Sequence, residues 1–329
     1  MSEKHPGFLN TDNYLNFPRN QATWILKDLI PVGGKALIYS QPKVGKSSLA
    51  LQLCNAIAEG TDWMTFPVVS SGRVLYIQLD NPGTTWSCRI KTFREHGYHL
   101  RSDKVFHADS TTLPYYPFDI LQPLHRDYLK SVIEPLEPTL VVIDTLRKVH
   151  TGDENSSTVM SNVISSLYAA VSPSALLVIS HDKKPSPDLD KDIIADHRGS
   201  TSVVGEMDAI IRLTKTRMYY AGRNVEADHI KLQKHVIESE DDSTIIWEPD
   251  PQENNIAIVN VLADSSLNSM RAKARVLAQT VNINEEAALS RIRRIGPKLI
   301  KIMEKEAREK GLPIPVYQLP SSLLLQNRL

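Results

Sequence analysis

Cysteine is nearly absent from this chain: Cys54 and Cys88 are the only two in 329 residues. That excludes a disulfide framework, and neither thiol sits in a zinc-ligand spacing. Cys54 falls in an apolar helical run, where a small buried hydrophobe is the expected role. An excess of one charge is also lacking, since 38 Lys and Arg balance 38 Asp and Glu. No whole-chain field therefore selects a partner, and any basic patch has to come from local segregation. Long apolar runs are missing: none approaches the ~20 residues that span a bilayer, and the opening MSEKHPGFLNTDN has no apolar signal core. There is no internal repeat and no low-complexity tract. The expected protein is soluble and cytoplasmic, with no membrane partner. What remains is an ordinary globular balance, 41% hydrophobic and 23% charged, over a length that allows one large domain and a smaller one.

Residues 1–20 are polar and rich in Pro and Asn, and read as an N-terminal arm. From Trp24 to about Trp247, short apolar runs alternate with helical patterns. The strand candidates are Ala36–Tyr39, Arg73–Leu79, Leu140–Ile143, Leu176–Ser180, Ala209–Leu213 and Ile230–Gln233. Several are nearly continuous Val/Ile/Leu runs, as parallel strands buried on both faces require. Helices fit between them at Ser47–Glu59, Leu124–Glu134 and Thr158–Val171. Repeated βα units predict an α/β fold over residues 21–250, a doubly wound and mostly parallel sheet with ligands beyond the C-terminal strand ends. Pro249-Asp250-Pro251 breaks the pattern. Residues 251–329 then read as a helical C-terminal domain.

The most informative stretch is ALIYSQPKVGKSSLALQLCNAIA, residues 36–58. An apolar strand runs into a turn, then Gly45-Lys46-Ser47, then an amphipathic helix closed by Gly60. This is the context a P-loop requires. The segment Ser40, Gln41, Pro42, Lys43, Val44, Gly45, Lys46, Ser47, Ser48 would cradle the phosphates of ATP. Gly45 lets backbone approach phosphate, and the helix N-terminus offers free N–H groups with a favourable dipole. Lys46 would reach the β/γ-phosphates and Ser47 would ligate Mg²⁺. The first glycine of the motif is replaced by Ser40, so the turn must close without glycine's freedom. Asp144 ends the strand LVVID, about a hundred residues on, and is the matching Mg²⁺ ligand. A helix cap or turn residue is the other reading of such an Asp. His181 ends the next strand, where it would either sense the γ-phosphate or serve as a satisfied structural residue.

Together these segments resemble the RepA-type branch of RecA-like ATPases, the hexameric replicative helicases of plasmids, phages and mobile elements. The likeness covers about residues 20–240. It rests on LKDLIPVGGKALIYSQPKVGKSSLAL, on VLYIQLDNPGTTWSCRI with Arg89, on VVIDTLRKVHTGDENSSTVMSNVISSL, and on LLVISHDKK followed by Arg198-Gly199-Ser200 through Asp208 and Arg212. The resemblance implies that Asp80, at the end of a strand next to the P-loop strand, orients the attacking water, although the family usually carries Glu there. Capping of a helix that starts at Pro82 is the alternative. It implies a homo-oligomeric ring, a hexamer, with ATP between subunits and a basic finger from the neighbour completing each site. Arg212 is the first candidate for that finger, with Arg198 and Lys234 as alternatives. It also implies that the loops His150–Ser156 and Lys183–Arg198 face single-stranded DNA, although the second carries as many acids as bases and no aromatic for stacking.

From Ser266 to Gly311 eleven Lys and Arg face five acids. The helical outline there is compatible with a helix-turn-helix or winged-helix DNA-binding module, or with a solvated bundle for subunit contacts. Three functions follow from the sequence. The first is an ATP-driven helicase acting in DNA replication. The others are a RecA-like recombination or annealing ATPase, and a regulatory ATPase that switches partner binding.

Overall fold

Runs such as ALIY, VLYI, LVVI and LLVI place apolar side chains at consecutive positions, so both faces of each strand must be covered. The computed structural model covers them with helices; it describes residues 9–16, 23–181, 201–223, 225–238, 243–250 and 270–281, with Leu289 and Ile292. A short helix α1 (Thr11–Leu15) precedes a two-stranded antiparallel pair, β1 (Trp24–Leu26) and β2 (Ile30–Pro31). The main sheet then begins with β3 (Lys35–Ser40). It continues with β4 (Val74–Gln78), β5 (Val105–Asp109), β6 (Leu140–Asp144), β7 (Ala175–His181) and β8 (Ala209–Leu213). These six run parallel in the order β5-β4-β6-β7-β3-β8. Beyond β8 the sheet turns antiparallel through β9 (Arg217–Gly222), β10 (Val225–Glu238) and β11 (Ser243–Pro249).

Strand alternation decides which helices each side chain meets. Ala36 and Ile38 of β3, Leu140 and Val142 of β6, and Leu177 and Ile179 of β7 pack with α2 (Lys46–Glu59) and with Trp86 and Phe93 of α3 (Gly83–Glu95). The intervening residues, among them Leu37, Tyr39, Val141, Ile143 and Val178, pack on the other face. There they meet α4 (Pro123–Leu136), α5 (Ser157–Val171) and α6 (Thr201–Glu206). The sheet is therefore wound on both sides, and the α/β expectation stands. Among the described residues no helix is long and apolar enough to cross a membrane.

Two parts of the sheet differ from the sequence expectation. The edge strand VFHAD and the strands β9 and β11 were not expected, because polar residues interrupt their apolar runs. Ile230–Gln233 is part of a strand of 14 residues that runs antiparallel, not a buried parallel one. In the C-terminal region, read from the sequence as helical, the helix α7 spans Met270–Val281. Lys273 on it is 3% exposed beside Ala274 and Leu277, which removes it from any solvent-facing basic surface. The remaining C-terminal elements, including any wing, lie outside the described residues.

Candidate active site

The site assembles because alternation brings the ends of four strands to the N-terminus of α2. Ser40 pairs in register with His181, and both continue the strand positions that face α2. Asp144 follows Leu140 and Val142 on that same side. Gly45 precedes α2 at φ 110°, ψ 30° and offers no side-chain cap. The first N–H groups of the helix therefore remain available to an anion. Lys43, exposed in the loop before it, also has a positive φ of 63°. The loop is held from outside the motif: Trp247 of β11 donates from Nε1 to Gly45 O at 3.3 Å. Trp247 is fixed in turn by Gln52 of α2, whose Nε2 donates to Trp247 O at 2.9 Å and whose Oε1 accepts from Trp247 N at 3.0 Å.

Lys46 is 5% exposed, folded back over the turn that lacks the first glycine. Its Nζ donates to Ser40 Oγ at 3.2 Å, Ser40 O at 3.3 Å and Gln41 O at 3.2 Å. Ser40 Oγ in turn donates to Gln41 O at 2.8 Å. A hydroxyl thus closes the turn where a glycine would have relaxed it. Lys46 Nζ also lies 3.0 Å from His181 Nδ1. Burial, then the Lys46 charge, pushes the His181 pKa down. The ring is neutral at neutral pH, so Nδ1 accepts from the ammonium and Nε2 carries the proton. That Nε2 points to Asp80 Oδ2 at 4.0 Å.

Asp144 is 1% exposed. Burial pushes its carboxyl pKa up, against hydrogen bonds from the Ser47 and Tyr76 hydroxyls that favour the ionised form. Tyr76 Oη donates to Asp144 Oδ2 at 2.7 Å. The capping alternative for Asp144 does not hold: the short 3₁₀ turn after it, Leu146–Lys148, has Thr145 at its cap position and no side-chain cap. Capping by Asp80 or Asn81 is likewise unsupported, because α3 is preceded by Pro82 with no side-chain cap. Gln78, with its amide turned to suit its neighbours, accepts from Asn81 N and Nδ2, both at 2.6 Å. This closes the turn that carries Asp80. Asp80 is not next to the P-loop strand, however, since β7 and β6 lie between β3 and β4. It reaches the site across the strand ends, through the His181 side.

The geometry suits a Mg²⁺–nucleotide. Ser47 and Asp144 supply hard oxygen ligands already bonded to each other, and Mg²⁺ in such sites takes its other ligands from phosphate and water. Among the described residues no group of three or more His, Cys, Asp and Glu could hold a metal unaided. Gln41 Nε2 is buried without a hydrogen-bond partner at the rim of the loop, a donor that a phosphate oxygen would satisfy. A family model described as AAA domain matches residues 3–187. The chain belongs to the AAA domain family. It is a P-loop ATPase, and ATP with Mg²⁺ is the ligand its site implies. Among solved structures, a KaiC-like protein from the hyperthermophilic archaeon Pyrococcus horikoshii OT3 is similar, with 12% identity and a TM-score of 0.42. The match covers 70% of this chain and 99% of that one.

The other expected residues of this AAA domain fall apart from the cluster or outside view. Ser48 is 4% exposed on α2, while Pro42 is exposed and Val44 buried in the loop. Arg212 is 6% exposed and alternates with Ile211 and Leu213, which face α2. Its side chain is therefore on the opposite face, inside its own chain, and not presented to a neighbour as a finger must be. Lys234 is exposed on β10, opposite Trp247 in register. Arg198 lies outside the described residues, as does the loop Lys183–Arg198. The loop His150–Ser156 is anchored rather than free: His150 is 4% exposed, Thr151 Oγ1 donates to Asp119 Oδ2 at 2.7 Å, and Ser156 caps α5. Sequence reasoning missed Tyr76, Gln52 and Trp247. Tyr76 sits in a continuous apolar run that reads as core, and only pairing of β4 with β6 shows what its hydroxyl meets.

Proposed function

We propose that this ATPase is a nucleic-acid motor that works as an oligomeric ring, a DNA helicase in replication, with each site completed by the neighbouring subunit. The observation that carries the reading is the composition of the site. One chain supplies phosphate, metal and water-orienting groups in Lys46, Ser47, Asp144 and Asp80, with His181 linking Lys46 to Asp80. Lys46 is the cation that these contacts place at the phosphate cradle, and a γ-phosphoryl transition state gains from a further one. Lys234 is exposed on β10 and is the residue we assign to that task. Before ATP binds, Lys46 is occupied by Ser40, Gln41 and His181; phosphate would take it over and free His181 Nδ1. His181 would then report the γ-phosphate, while Mg²⁺, when bound, neutralises charge on the phosphates.

The anchored loop His150–Ser156, tied to Asp119 and without an aromatic residue, favours a second reading: a regulatory ATPase that switches partner binding. One experiment separates the two. ATP turnover of the full chain is measured with and without single-stranded DNA, alongside unwinding of a forked duplex. Stimulated turnover with unwinding supports the motor. Unstimulated turnover on every nucleic acid offered supports the switch.

A further inference from the structure

We propose that Tyr76 is a positioning residue for the metal arm of the ATP site, holding the Asp144 carboxylate in place through its hydroxyl. The inference rests on the reading of Asp144 as the Mg²⁺ ligand. Tyr76 lies in VLYIQ, a core strand that is buried throughout, where packing alone would be served by Phe. A phenol taken that deep must satisfy its O–H. It does so on Asp144 Oδ2 at 2.7 Å, the usual length of a hydroxyl hydrogen bond. Register explains the reach. Tyr76 pairs with Val142 and Gln78 with Asp144, so the ring extends the hydroxyl to the next same-face position of the neighbouring strand.

The support of that hydroxyl is rigid. The Tyr76 ring packs on Trp86 with centroids 4.7 Å apart and planes at 35°. Trp86 belongs to α3, the helix that follows Asp80, and is itself 2% exposed. A carboxylate has about four acceptor positions. Tyr76 takes one and Ser47 another, leaving the rest for the metal and its water. The orientation of Asp144 is thus set before a metal arrives.

The test is Tyr76→Phe in the full chain, which keeps the ring and removes one oxygen; circular dichroism checks the fold. Binding of a fluorescent N-methylanthraniloyl ATP is measured in EDTA, and Mn²⁺ binding to the ATP complex is counted by electron paramagnetic resonance. Expected are an EDTA affinity within about twofold of wild type and an Mn²⁺ affinity lowered about tenfold, the usual effect of losing an outer-shell partner. In an Asp144→Asn background the same substitution should change Mn²⁺ affinity no further. A lowered melting temperature with unchanged Mn²⁺ affinity would mean that Tyr76 only packs, and would overturn the proposal alone. If Asp144→Asn itself leaves Mn²⁺ affinity intact, the metal-ligand reading falls and takes this one with it.

Discussion

Replacing Gly45 by alanine should damage the protein through two separable costs. The first is backbone strain: φ is 110° at this position, a region in which an L residue is held at a cost of about 1–3 kcal/mol. The second is space. A Cβ on Gly45 would stand 2.9 Å from Ile245 Cδ1 and 3.0 Å from Trp247 Nε1. The isoleucine methyl can swing aside, but the indole is held by its bond to Gly45 O and by Gln52. Overpacking of this kind costs about 1–3 kcal/mol, so the sum is about 2–6 kcal/mol. For a domain of this size that lowers the melting temperature by about 5–20 °C. ATP binding should weaken as well, because the substituted turn cannot keep its N–H groups in place. The assay is thermal unfolding with and without Mg²⁺–ATP, on Gly45→Ala, Ile245→Ala and the double substitution. The double variant should recover part of the packing cost and none of the backbone cost. A Gly45→Ala protein that melts within about 1 °C of wild type would mean that neither the positive φ nor the indole contact constrains this position.

Three further outcomes are expected. Asp80→Asn should bind ATP almost normally and lose a factor of about 10² or more in turnover, measured by phosphate release; normal turnover would give the water-orienting role to another group. Lys46→Ala and Lys234→Ala should each be inactive, yet a mixture should regain turnover by setting an intact P-loop against an intact neighbouring lysine; a mixture that stays inactive while wild type is oligomeric removes Lys234. Stability should fall on acidification: burial takes the His107 pKa from 6.5 down to about 4, so the unfolded chain takes up a proton first. Stability is then full above about pH 6.5 and falls by on the order of 3 kcal/mol as pH drops to about 4. His150 and His181 are shifted in the same direction, so the measure is the slope lost in His107→Phe, by urea unfolding across that window.

Much of the site was legible along the chain because its residues are local. Strand, turn, Gly45-Lys46-Ser47 and helix are contiguous, and a phosphate cradle of this type is made from consecutive backbone. Continuous runs such as LVVI likewise announced parallel strands covered on both faces, and Asp144 and His181 were found as the polar residues that end them. The edge strands were not legible, since half-exposed antiparallel strands such as β11 carry polar residues that blur any apolar run.

What the sequence could not decide is anything that depends on which strand lies beside which. Order placed β6 and β7 between Asp80 and the P-loop strand. Alternation along β8 turned Arg212 to the face away from α2, and pairing of β10 with β11 set the exposed Lys234 beside Trp247. Pairing of β4 with β6 brought the Tyr76 hydroxyl to Asp144, and packing of β11 on α2 brought Trp247 to Gly45 across 202 residues. The chemical groups and the local loop that holds phosphate can be read along the chain, because they are properties of neighbours in sequence. Which of them share a carboxylate, a carbonyl or a face follows from folding alone, because those contacts form between segments whose separation in sequence carries no distance information.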